Sequence, residues 1–217
     1  MNDATLKPSL SSRIQTVRTK SGIEAWLIED YTVPLVSLEL AFRGGSSQDP
    51  EGLAGTASFL AGVLDEGAGP YDSAAFHDRL DDYAIELGFS ASRDLITGHL
   101  RTLSKHRAEA FDMLRLAINE ARFDEEPVER VRAQMLASLR HEVNYPDTCA
   151  NRAWFENAFA GHAYARPVKG TFESVPAITR EHIIAYRDQI FARDTLKLAV
   201  VGAIDAATLA RELDQIF

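Results

Sequence analysis

The sequence predicts an α+β fold, a mixed and largely antiparallel sheet covered by helices. Two observations carry that expectation. Strand-like segments come in groups, three before residue 50, two between residues 88 and 103 and one at 196–202, while the amphipathic segments lie between the groups with few strand-helix-strand crossovers. No linker rich in Gly, Pro or Ser interrupts residues 14–217 and no internal repeat is visible, so one domain is expected there. Residues 1–13, rich in Ser, Asp, Asn and Pro, read as a flexible tail.

Each element has a local reason. Residues 14–19 and 24–29 flank the turn signal Lys20-Ser21-Gly22 and predict a hairpin. Val36, Leu38, Leu40 and Phe42 alternate with Ser37, Glu39 and Ala41, the period of a strand with one buried face. Gly44-Gly45-Ser46-Ser47 ends it, and Asp49-Pro50-Glu51 reads as a helix start, with Asp49 as cap and Pro50 in the first turn. Leu53, Ala57, Leu60 and Leu64 then recur at helical spacing. A second helix is expected over 73–85 with Ala75, Leu80 and Tyr83 inward, followed by strands at 88–91 and 95–103 around Ser92-Arg93-Asp94.

Ala108, Phe111, Leu114, Ala117 and Ala121 form the stripe of a third helix, and Val128, Val131, Met135 and Leu139 that of a fourth. The fourth begins at Asp124-Glu125-Glu126, acidic residues that suit the positive end of the helix dipole, and stops at Tyr145-Pro146-Asp147. Helical stretches are expected at 149–159 and, capped by Thr179, up to Phe191. Leu196 to Gly202 is apolar almost throughout and suits the middle of a sheet, and a short helix closes the chain.

Composition narrows the function. A chain of 217 residues buries roughly 70% of the surface its unfolded form exposes, so a real core is expected. The net charge of −9 is spread along the sequence, which leaves no electrostatic footprint for nucleic acid or anionic lipid. No segment approaches the ~20 apolar residues of a membrane span, and residues 1–18 lack the apolar centre of a signal peptide. The one cysteine, Cys149, excludes an internal disulfide and a thiolate cluster, and reads as a small packed side chain near a helix start.

An ordered set of signals gives the chain its likeness. They are the Ser21-Gly22 hairpin with Trp26-Leu27-Ile28, the Gly44-Gly45-Ser46 turn, the helix between Gly55 and Gly67, the Gly161-His162-Ala163-Tyr164 loop with Gly170-Thr171, and the strand Leu198-Ala199-Val200-Val201-Gly202. In this order they resemble the N-terminal domain of the insulinase, pitrilysin and mitochondrial processing peptidase family, over residues 14–217. The resemblance implies a metallohydrolase-like two-layer domain and a homologous C-terminal domain beyond this chain.

Active members of that family carry H-x-x-E-H on the first helix. Histidines at i and i+4 share a helix face and grip one zinc ion, while the glutamate is general base on the metal-bound water. The resemblance places Ser58 and Gly62 at the two histidines and Ala61 at the general base. It places Ser138, 76 residues after Gly62 on the fourth helix, at a third ligand that is a glutamate in active members. No catalytic residue and no metal ligand are therefore expected, and no cofactor in this chain.

Other candidates fare no better. His141 and Glu142 adjoin Ser138, but only one of them can face the first helix with it. His77, His99, His106, His162 and His182 show no i, i+4 pairing and read as surface or satisfied histidines, with His162 in a structural hydrogen bond. Asp65-Glu66 and Glu125-Glu126 read as solvated helix ends, since adjacent helical residues do not face one another. Gly55, Ser58 and Gly62 form a narrow seam that a neighbour can approach closely.

The resemblance implies a noncatalytic subunit that pairs with a zinc-bearing homologous subunit and helps form a peptide-binding chamber, with zinc in the partner. Extended peptide would join the sheet edge near Phe89, Ser90 and Ala91. Two alternatives stand beside this reading, an active zinc metallopeptidase with a relocated ligand set and a stand-alone peptide-binding or structural module. Likeness to two-subunit bacterial members suggests the periplasm, with the cytoplasm left open.

Overall fold

The structure is a computed structural model that describes residues 10–217; residues 1–9 of the expected tail lie outside it. Leu10–Arg13 is a single 3-10 turn, and Arg13 donates to the Glu29 carbonyl (2.8 Å) and the Asp30 carboxylate (3.1 Å), so described structure begins before Ile14.

The strands are β1 (Gln15–Arg18), β2 (Glu24–Glu29), β3 (Leu35–Arg43), β4 (Glu86–Ala91), β5 (Leu95–Leu103) and β6 (Lys197–Gly202). Among the described residues they make one sheet in the order β1-β2-β6-β3-β5-β4. Only β2 and β6 pair in parallel; the other neighbours are antiparallel. The apolar strand β6 takes the central place its composition suits, between β2 and β3. It fits there because Gly202 (φ +138°) has no side chain; a Cβ would sit 2.1 Å from the Leu35 carbonyl oxygen.

The sheet is covered on one face. Leu38, Leu40 and Phe42 of β3, Ile96 and Leu100 of β5 and Leu198 and Val200 of β6 are buried, while Trp26, Glu39, His99 and Val201 on the other face are exposed. The covering layer holds α1 (Thr56–Val63), α2 (Ser73–Asp82), α3 (Arg107–Asn119), α4 (Glu125–Glu142), α7 (Arg180–Ile190) and α8 (Ala206–Ile216), with α5 (Pro146–Ala158) and the single turn α6 (Ser174–Ala177) beside it. Phe59 and Leu60 of α1, Phe111 and Leu114 of α3, Ile183 and Tyr186 of α7 and Leu209 and Leu213 of α8 join the strand residues in one apolar cluster. Each such side chain contributes about 1.5–3 kcal/mol by burial. The α+β expectation is met in both layers.

Three local expectations are corrected. Ala75 is exposed, because the Asp72 carboxylate caps α2 through the Ala75 N–H (2.9 Å) and that phase turns Phe76 and Leu80 inward. Ala108 is exposed and Ala121 lies past the end of α3, held by a bridge to Ala68. Cys149 is exposed rather than packed, since α5 sits on the outside with none of its residues buried.

Candidate functional site

Helix α1 is set by a buried carboxylate. Asp49 is 3% exposed and accepts hydrogen bonds from the Gly55 N–H (2.7 Å) and the Ala57 N–H (2.9 Å). It caps the helix from outside, and Pro50 is not in the first turn; residues 50–54 form turns and the helix starts at Thr56. Arg166 clamps the same segment through the carbonyls of Asp49 (2.7 Å) and Ser47 (2.9 Å). Burial pushes the Asp49 carboxyl up to about 6, against the N–H groups of Ala57 and Gly55 and the Arg166 charge, which favour the anion.

Ser58, Ala61 and Gly62 share one face of α1. The Ser58 hydroxyl donates to the Val168 carbonyl at 2.8 Å, Ala61 is 4% exposed, and a Cβ on Gly62 would meet Cγ1 of Val131 on α4 at 3.1 Å. The small-residue seam thus admits two neighbours. At Gly62 it is helix α4, and at Gly55 it is a loop, whose Gly170 Cα lies 2.9 Å from where a Gly55 Cβ would be.

On α4 the Ser138 hydroxyl donates to Glu142 Oε1 (3.3 Å), and the same carboxylate is ion-paired with Lys169. His141 is turned away and bonds the Tyr145 hydroxyl through Nε2 at 2.8 Å. The loop over 167–170 therefore fastens to α1 at Ser58 and to α4 at Glu142. Ser58, Ala61, Gly62 and Ser138, the positions that the resemblance sets at the metal site, offer two hydroxyls and no imidazole, carboxylate or thiolate. Among the described residues no group of three or more His, Cys, Asp or Glu side chains is arranged to hold a metal ion.

Behind α1 the expectation of solvated carboxylates fails. The Glu66 side chain is 12% exposed and takes a two-pronged bond from Arg130 (3.0 and 2.7 Å) and one from Ser73 (2.6 Å). Burial works against its charge, but those donors outweigh it and hold the carboxyl below its ordinary range. Burial pushes Asp65 the other way. Glu125 and Glu126 are exposed as expected, and His162 caps a turn by accepting from the Tyr164 N–H (3.1 Å).

Phe89, Ser90 and Ala91 lie on β4, the edge of the sheet beside α1. The Ser92 N–H donates to the Leu95 carbonyl (2.8 Å), and hydrogen-bonded pairs alternate in an antiparallel ladder. Ser90–Thr97 is then a bonded pair, whereas Phe89–Gly98 and Ala91–Ile96 are not. The main-chain groups of Leu87, Phe89 and Ala91 consequently face the free edge, and those of Ser90 face Thr97. The Phe89 ring covers Gly98 on the buried side, and the Ser90 hydroxyl meets that of Thr97 at 2.8 Å.

Beyond the end of β4 lies a cleft of about 260 Å³ between Arg93, Leu139, Glu142, Phe155 and Lys169. No sequence signal points to it. Its walls join residues 93, 139–142, 155 and 169, and no spacing rule links positions so far apart.

The family model for insulinase (Peptidase family M16) matches residues 25–171. "Non-peptidase homolog YmxG" of Helicobacter pylori is 28% identical over 174 residues, which is 80% of this chain and 40% of that protein. "Mitochondrial-processing peptidase subunit beta" of Dictyostelium discoideum is 22% identical over 213 residues, 98% of this chain and 45% of that protein. The chain spans less than half the length of these relatives. The crystal structure of a peptidase M16 inactive domain from Pseudomonas fluorescens superposes with a TM-score of 0.88 at 25% identity, over 94% of this chain and 50% of that one. The periplasmic protease PqqL of Escherichia coli shares the fold, with a TM-score of 0.83 at 14% identity over 96% of this chain and 24% of that one. The chain belongs to the insulinase family, Peptidase family M16.

Proposed function

We propose that this chain is a noncatalytic peptidase-like domain that binds extended peptide on the β4 edge and pairs with a zinc-bearing homologous subunit, enclosing the peptide between them. In this reading residues 14–217 form one domain of a larger assembly, placed in the periplasm, and zinc resides in the partner. The observation that carries it is the state of the α1–α4 seam. Ser58 and Ser138 spend their hydroxyls on Val168 and Glu142, and Glu142 is engaged by Lys169. The residues at the seam do not fit a zinc ion, which needs imidazole, thiolate or carboxylate donors. Beside it, the outer edge of β4 has no strand partner among the described residues and keeps main-chain groups for one. No helix among the described residues is long and apolar enough to cross a membrane.

The test combines zinc titration by calorimetry with affinity purification of the tagged chain from its native cell. The expected result is no stoichiometric zinc binding at micromolar concentration, together with recovery of a homologue bearing H-x-x-E-H. Tight one-to-one zinc binding with peptide cleavage by the chain alone would instead make it a peptidase with a relocated ligand set. A monomer that recovers no such homologue would leave a stand-alone peptide-binding module.

A further inference from the structure

We infer that the cleft at the end of β4 seats a carboxylate of the bound peptide; this rests on the edge-strand reading above and adds the chemistry of the peptide. Arg93 sits in the turn that joins β4 to β5, two residues after Ala91, and so stands at the end of the edge that a peptide paired with β4 would follow. Its guanidinium lies 3.4 Å from the centre of the Phe155 ring. A guanidinium held over a ring face keeps its N–H donors available to a carboxylate, which it can take through two bonds.

Arg93 has no carboxylate partner among the described residues. Its Nε donates a long hydrogen bond to the Tyr164 carbonyl (3.4 Å). The neighbouring acids are taken. Asp94 accepts from the Tyr164 hydroxyl (2.6 Å), Glu142 is held by Lys169 and Ser138, and Glu156 by Arg152 (2.9 Å). The cleft is lined by three cations, Arg93, Arg152 and Lys169, and one carboxylate, Glu142, in a chain whose net charge is −9. Leu139 and Phe155 give it an apolar wall that reduces competition from water. Arg152 and Lys169 are paired with Glu156 and Glu142, which leaves Arg93 as the cation of the cleft able to receive a carboxylate from the ligand. The carboxylate belongs to an Asp or Glu side chain of the peptide or to its C-terminus.

Fluorescence polarisation with the 217-residue chain separates these sources. The dye-labelled probes are an extended neutral peptide with an amidated C-terminus, the same peptide with a free C-terminus, an amidated version with one internal Asp, and its Asn isostere. At least one carboxylate-bearing probe is expected to bind about tenfold or more tightly than its neutral counterpart. Arg93→Gln is expected to remove that gain, and added salt to shrink it. Equal affinity of the acidic and neutral probes overturns the carboxylate seat while leaving the edge reading in place. Failure of every probe to bind overturns both. Loss of binding on main-chain N-methylation of a probe checks the edge pairing separately. Should Arg93→Gln lose its cooperative thermal transition, the comparison of isosteric probes on the unmodified chain decides between these outcomes.

Discussion

The hydroxyl of Ser58 donates to the carbonyl of Val168, 110 residues later in the chain, at 2.8 Å. Through this bond the 161–170 loop closes over the face of α1 where active relatives are expected to carry zinc ligands. A histidine at this position would have to displace the loop to reach a metal.

Ser58→Ala is expected to cost about 1 kcal/mol in unfolding free energy, since one half-buried bond is lost and the Val168 carbonyl is left to water. The loss should be local. Hydrogen exchange of the amides at 166–170 is expected to quicken while those of α1 stay protected by Asp49. Uniform acceleration over both segments would contradict this division.

Gly55→Ala is expected to destabilise by about 2 kcal/mol or more, far beyond an ordinary glycine-to-alanine change. Gly55 has φ +98°, where a Cβ is strained, and that Cβ would lie 2.9 Å from the Gly170 Cα, a backbone atom that cannot rotate away. Gly170→Ala (φ +82°, 2.5 Å from the Ala54 carbonyl oxygen) damages the same contact. The double variant should therefore cost less than the two single costs added. Chemical denaturation of the three variants measures it.

Asp49 gives a pH dependence of defined sign. Its carboxyl is raised from 3.8 to about 6 in the folded chain, so the folded state holds the proton more tightly than the unfolded one. That contribution is fully present below about pH 4 and is lost as pH rises through 6. It amounts to about 2–3 kcal/mol. Asparagine does not titrate. The stability difference between the natural chain and Asp49→Asn is expected to be larger at about pH 4.5 than at about pH 7, as read from denaturation curves at the two values. An equal difference at both would refute it.

The strands, the main helices and the family were legible in the sequence because they depend on local pattern. Val36, Leu38, Leu40 and Phe42 alternate whatever their neighbours are, and the apolar run of β6 already demanded cover on both flanks. Helix phase was less secure. It turned on the Asp72 cap, which moved the inward face from Ala75 to Phe76. Cys149 was misread because its surroundings are set by where α5 lies, and α5 is outside the core.

What the sequence determined by itself is the type and order of the elements and the residue types at Ser58, Ala61, Gly62 and Ser138, none of which carries an imidazole, carboxylate or thiolate. What only the tertiary structure decided is how the space is used: Val168 bonded to Ser58, Lys169 to Glu142, Gly170 against Gly55, and Arg93 stacked on Phe155. The physical reason is separation. Periodicity and capping act over a few residues, whereas these contacts join positions from 27 to 115 residues apart, brought together by burial of the shared core.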